Sequence, residues 1–233
     1  MCKKTAVCCL FILHLSSGCV PTLSTNFESA RLLQPKTIEM QGYGSRYFGV
    51  LNNSINEEWG PRTNNYGLSL AYGLSSKIRL RARIESIDLK DRAEFFYGPI
   101  LPSGSRVHYA EIGLKYGWNQ HKNIRTAISL PLGVFSHGAD ALGYIIPTFY
   151  ASYSKNDTFE IGINGKLHYW FNESVSIPWF STGMVVGVSS NVNKWCLRSE
   201  INTDIYNISV GVGFAYTISP SKKLPKKVFL ATT

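Results

Sequence analysis

The stretch from Lys77 to Ser86, KIRLRARIES, alternates without a slip. Ile78, Leu80, Ala82 and Ile84 fall on one side; Arg79, Arg81, Arg83 and Glu85 fall on the other. A period of two marks a β-strand with one apolar and one charged face. A soluble sheet turns the apolar face to its core. A membrane barrel turns it to lipid and lines its lumen with the charges.

The pattern recurs ten times. The predicted strands are Thr37 to Phe48, Asn64 to Gly73, the opening stretch, Val107 to Trp118, Asn123 to Val134, Tyr144 to Ser154, Thr158 to Trp170, Phe180 to Ser189, Lys194 to Asn202 and Asn207 to Ile218. The sixth is blurred: both faces are apolar and Pro147 sits within it. Most runs are about 10 to 12 residues long, whereas strands of soluble proteins have a mode of about 5–6. A tilted membrane strand needs about 9–11.

Short and long connections alternate. Leu74 to Lys77, Asn119 to Lys122, Lys155 to Asp157 and Asn191 to Asn193 are short turns. The links over 49–63, 90–106, 135–143 and 171–179 are longer, and the link after the ninth strand, TDIYN, is shorter than those four. Outer-membrane barrels have short periplasmic turns and longer outer loops in this way. The predicted fold is therefore all-β: an antiparallel transmembrane β-barrel of about ten strands in up-and-down topology over 37–218. An even strand number puts both ends of the barrel on the periplasmic side.

The non-apolar faces carry Gly, Ala and Ser beside charge, as suits a narrow lumen where side chains from every wall compete for volume. Their charges have both signs. Arg79, Arg81, Arg83, Lys115, Arg125, Lys166 and Arg198 stand against Glu85, Glu111, Glu160 and Glu200, with His168 among them. These twelve are the expected lumen-lining residues, able to pair through charge-assisted hydrogen bonds. Turning the three strand arginines to lipid would cost about 2–4 kcal/mol each near the midplane. Aromatics near strand ends suit two interfacial girdles: Tyr66, Tyr72, Tyr116, Trp118, Tyr169, Trp170, Trp195 and Tyr216. A water-soluble sandwich or lipocalin-like barrel with the apolar face inside is the remaining alternative.

The ends read differently from the body. Residues 1–19 have two lysines, an apolar run from Ala6 to Leu15, then small residues leading to Cys19, the layout of a secretory signal. Ser17-Gly18-Cys19 resembles a bacterial lipoprotein processing site, in which the Cys becomes the lipid-bearing first residue. The aliphatic residue usual three positions before the Cys is replaced by Ser16. Residues 20–36 read as an irregular periplasmic tether and 219–233 as a basic tail. The net charge of +9 is mostly terminal: without Lys3, Lys4, Lys222, Lys223, Lys226 and Lys227 the body keeps +3. It is no nucleic-acid footprint. Outside the leader only Cys19 and Cys196 remain, which is neither a disulfide framework nor a metal site.

The runs CVPTLSTNFESARLLQPKTIEMQGYGSRY, NNYGLSLAYGLSSKIRLRARIESI, ISLPLGVF, SSNVNKWCLRSEI and SVGVGFAYTI resemble small lipoprotein-type outer-membrane β-barrel proteins of Bacteroidetes-type bacteria. The resemblance implies a fold and a place in the bacterial outer membrane, in contact with its lipid. It implies no activity.

No phosphate-cradling Gly loop, GxSxG or HExxH stands in the chain, and no two of His108, His121, His137 and His168 are spaced as metal ligands. No catalytic residue, metal or cofactor is expected. Ser136, His137 and Asp140, in a predicted outer loop, are the nearest approach to a hydrolytic set. Glu57 and Glu58 read as a solvated loop pair. Three functions remain, in this order. The first is a structural or interaction barrel whose lumen is largely filled by charged side chains. The second is a narrow, weakly anion-preferring pore for small solutes. The third is a rim hydrolase acting on lipid or peptide. A small solute or protein partner is left open.

Overall fold

The computed structural model describes residues 26–49, 52–53, 57–58, 62–90, 93–94, 100–121, 123–138, 140–171, 179–204 and 207–220. Eleven strand segments form the wall: β1 Ile38–Gly49, β2 Thr63–Gly73, β3 Ile78–Leu89, β4 Arg106–Gln120, β5 Ile124–His137, β6 Asp140–Ile145, β7 Thr148–Asn156, β8 Phe159–Phe171, β9 Trp179–Val188, β10 Trp195–Thr203 and β11 Asn207–Ile218. Two short ladders, Asn52–Asn53 with Glu57–Glu58 and Ala93–Glu94 with Ile100–Leu101, stand in the loops after β1 and β3.

Apart from β6 and β7, which do not pair with each other, every wall strand pairs antiparallel with its chain neighbours, and β1 pairs with β11, Ile38 opposite Ile218, so the sheet closes. The topology is up-and-down. β6 and β7 are one stave of this barrel, broken at Ile146-Pro147. β6 pairs with the upper half of β5 and β8, β7 with the lower half, and the register is the same on both sides of the break. Pro147 has no N–H to give the ladder, which accounts for the interruption. Counted as staves, the barrel has ten.

One predicted loop is corrected. The span 135–143 is mostly strand, because β5 runs to His137 and β6 starts at Asp140 opposite it. Gly138 takes φ 60° in that tight turn, a conformation glycine adopts without a Cβ penalty.

The wall settles which face looks outward. Leu68, Leu70, Ile84, Ile112, Leu114, Leu130, Ile163 and Phe214 are each half or more exposed, while Arg79, Arg81 and Arg83 are buried. The alternating apolar face is the outer one and the barrel is inside-out relative to a soluble sandwich. Tyr66, Tyr72, Tyr116, Trp118 and Tyr216 stand exposed near strand ends, as girdle residues do. Trp170 does not. Tyr169 faces out, so its neighbour faces in, and Trp170 packs with Phe135 and Tyr144 inside the barrel. Among the described residues no helix is long and apolar enough to cross a membrane.

Candidate functional site

The lumen is filled in two layers. At the long-loop end an apolar cluster of buried residues lies inside the wall: Ile87, Leu89, Leu101, Val107, Tyr109, Phe135, Tyr144, Ile146 and Trp170. Tyr109 and Tyr144 stack at 4.8 Å, and the Tyr109 hydroxyl donates to Glu111 at 2.6 Å. Below this cluster the inner wall is charged, and the space is taken by the chain's own N-terminal segment.

Residues 26–33, read from the sequence as part of a periplasmic tether, run inside the barrel, and Gln34, Pro35 and Lys36 are exposed. Asn26, Phe27, Glu28, Ser29 and Ala30 are almost wholly buried. The segment leaves through the short-turn rim, where the Lys36 N–H donates to the Gly73 carbonyl at 2.7 Å and Gly73 N–H to Thr37 at 2.9 Å. The inner face there is shaped for it. A Cβ on Gly73 would stand 2.1 Å from the Gln34 carbonyl oxygen, and one on Gly211 2.6 Å from the Phe27 ring. The Gly-rich inner faces thus make room for a peptide as well as for wall side chains.

The wall charges converge on this segment. Glu28 sits between three cations: Arg79 Nη2 at 3.1 Å, Arg81 Nη1 at 3.1 Å and Lys115 Nζ at 3.4 Å. The Tyr150 hydroxyl also donates to it at 3.0 Å. Asn26 Oδ1 accepts from Arg83 Nη1 at 2.7 Å and from Arg81 Nη2 at 3.3 Å. Phe27 N–H donates to Glu200, and the Phe27 carbonyl accepts from Gln41 at 3.1 Å and Arg198 at 3.2 Å. Lys115 donates to the Ser29 carbonyl at 2.5 Å.

Several wall charges are also paired with one another. Arg81 Nη2 lies 2.6 Å from Glu111, Arg79 2.8 Å from Glu39, Arg83 2.5 Å from Glu85 and Lys166 3.3 Å from Glu200. Lys166 also donates to Asn202 at 2.6 Å. The Arg83 guanidinium lies 4.7 Å from the Tyr109 ring centroid and Lys115 Nζ 3.9 Å from that of Tyr150. His168 Nε2 is 2.9 Å from Ser181 Oγ. Glu160 is buried with neither carboxylate oxygen hydrogen-bonded, facing the charges of Arg31 and Arg198. Arg125 is half-buried on the same side. Of the twelve residues named from the sequence, eleven are buried and Arg125 is half-buried. Sequence reasoning missed the other half of the network: Glu28, Asn26 and Phe27 from the segment, and Glu39, Gln41 and Tyr150 from the wall.

Burial alone would push the Glu28 carboxyl up, but Arg81, Lys115 and Arg79 outweigh it and hold it well below the usual carboxylate range. A depressed carboxyl contributes stability that is complete above its unfolded pKa, about 4.3, and is lost as pH falls through the folded value. The segment is therefore expected to stay protected from trypsin at Arg31 from pH 7 down to about 5, and to loosen only below the ordinary carboxylate range. Cleavage of folded barrel at pH 5, as fast as in unfolded chain, would contradict this.

Cys19 and the tail from 221 lie outside the described residues, as do residues 20–25 of the tether. Ser136 and His137 are neighbours on β5 and so project to opposite faces. His137 Nδ1 is 3.1 Å from the Arg106 carbonyl oxygen, and Asp140 is its partner across the turn. Cys196 is a buried free thiol. No group of metal-ligating side chains occurs among the described residues.

This is the architecture of an outer-membrane β-barrel, with a buried charged network in its lumen. No protein-family model matches the chain, and no curated protein does. Among solved structures it is similar to an outer-membrane channel from Pseudomonas putida F1, at 7% identity and a TM-score of 0.51, over 84% of this chain and 99% of that one. It is also matched to the outer-membrane protease OmpT of Escherichia coli at 10% identity and a TM-score of 0.44, over 83% of this chain and 100% of that one. OprG of Pseudomonas aeruginosa follows at 8% and 0.40, over 83% and 100%. At these identities the first likeness speaks for the fold alone, and the other two carry no argument. The resemblance to lipoprotein-type barrels thus extends to architecture and not to a family.

Proposed function

We propose that the chain is a bacterial outer-membrane barrel of structural or interaction type, closed to solutes, with its short-turn rim facing the periplasm. The observation that carries this is the occupied lumen: an apolar cluster at one end and a hydrogen-bonded, ion-paired segment at the other. A barrel of eight or so strands is filled by side chains alone, and a slightly wider one leaves space that a peptide segment can take. The outer face contacts membrane lipid. No catalytic role is proposed for Ser136, His137 or Asp140.

The test is reconstitution of the full chain in planar bilayers, beside gel migration with and without boiling. The expected result is a heat-modifiable band and no steady conductance. Steady conductance with anion preference would replace this reading by the second one, a narrow pore. That reading draws on the cations Arg79, Arg81, Arg83, Lys115 and Arg198, which face the lumen and would line any path left by the segment.

Cys19 is proposed as the acylated first residue of the mature chain. Mass spectrometry of the mature N-terminus should find acyl chains on Cys19; an unmodified start elsewhere would remove the anchor and leave the barrel intact.

A further inference from the structure

The segment 26–33 is held in an unusual way for part of a folded core. It belongs to no strand. Its main-chain groups are taken up by wall side chains: Glu200 at the Phe27 N–H, Gln41 and Arg198 at the Phe27 carbonyl, Lys115 at the Ser29 carbonyl. Gln120 takes both the Ala30 carbonyl, at 3.1 Å, and the Leu32 N–H, at 3.2 Å. Two side chains are read as well. Phe27 lies in a slot against Gly211, Gly213 and Tyr43, with its ring centroid 5.1 Å from that of Tyr43. Glu28 enters a pocket of three cations and a tyrosine hydroxyl. Main-chain capture together with one apolar slot and one anion pocket is how a receptor reads a peptide, here one that turns at Phe27, where φ is 47°.

We propose that the lower lumen is a peptide-binding site and that residues 26–33 are its tethered ligand. Its ligand class is a peptide that turns at an aromatic residue and presents that side chain followed directly by a carboxylate. The inference rests on the closed-barrel reading above, and adds that the closing segment exchanges for a free peptide of the same chemistry. Entry is from the short-turn rim, since the apolar cluster lies toward the other end. A tethered ligand competes at an effective concentration of order millimolar for a short flexible link, so free peptide reaches the site only when the resident segment is weakened.

The experiment uses the full chain in detergent with Phe27→Ala and Glu28→Gln, which strip both recognised side chains from the resident segment. A fluorescein-labelled peptide with the sequence STNFESARLLQP, residues 24–35, is titrated and its anisotropy read. The expected result is saturable binding to the variant, at least about tenfold weaker binding to wild type, and at least about tenfold weaker binding when the peptide's own Phe or Glu is replaced by Ala or Gln. Absence of binding to the variant, or binding indifferent to those two peptide changes, overturns the proposal. Should the double variant lose its heat-modifiable band, Phe27→Ala alone is titrated, since it leaves the charge network whole, and the same outcomes decide. Conductance of wild type reports separately on the closed barrel, so the two readings fail by different signs.

Discussion

Replacing Arg81 with Ala is expected to destabilise the barrel by about 3–5 kcal/mol, the usual cost of removing one partner from a buried ion pair. Arg81 is nine-tenths buried and holds two carboxylates, Glu28 at 3.1 Å and Glu111 at 2.6 Å, as well as the side chain of Asn26. Its removal affects them unequally. Glu28 keeps Arg79 and Lys115, whereas Glu111 keeps only the Tyr109 hydroxyl among its close contacts. Most of the loss should therefore fall on Glu111. A denaturant melt of the heat-modifiable band measures it. Adding Glu111→Gln should recover part of the loss, by a coupling of order 0.5–3 kcal/mol. If the lumen were an open, wet channel, water would solvate the stranded carboxylate. The single change would then cost less than about 1 kcal/mol, and the second change would recover nothing.

The wall was legible in the sequence because its signal is local: nine of the ten staves keep a period of two, and a one-residue slip would turn Arg79, Arg81 and Arg83 to lipid. The sixth stave was blurred for a physical reason. Tyr144, Ile146 and Tyr150 face a lumen that is apolar or peptide-filled at their height, so both faces of the stave carry apolar residues. Long-range placement left no such signal. Asn26, Phe27 and Glu28 stand in a run without periodicity, and nothing local distinguishes a tether in water from a segment folded into a barrel. One hint was available. The expected lumen charges carried a positive surplus of three, and buried cations need partners. Glu28 and Glu39 are two of those partners, one from the segment and one from β1.

Gly73→Ala is expected to release the segment while leaving the wall closed. The three atoms nearest to a Cβ at this position all belong to the segment: the Gln34 carbonyl oxygen at 2.1 Å, its carbonyl carbon at 3.0 Å and Leu33 Cβ at 3.2 Å. Backbone at 2.1 Å cannot be met by a side-chain rotation, so the segment itself must move, and the two hydrogen bonds between Gly73 and residues 36 and 37 go with it. Gly67 is a useful contrast. A Cβ there meets the Tyr43 ring at 2.2 Å, a clash of wall against wall, and Gly67→Ala should loosen the barrel itself. At Gly143 the nearest atom is 3.6 Å away, ordinary contact, and Gly143→Ala should do nothing. Trypsin cleavage after Arg31 reads the difference, because proteolysis tracks the population in which a buried bond is open. Gly73→Ala should be cut at least about tenfold faster than wild type with its heat-modifiable band and denaturant midpoint nearly kept. Gly67→Ala should gain cleavage only as its midpoint falls. If Gly73→Ala were cut no faster than Gly143→Ala, the rim contact would not be what holds residues 26–33 inside. The retention would then lie wholly in the pocket around Glu28, and the Arg81 measurement would carry the argument alone.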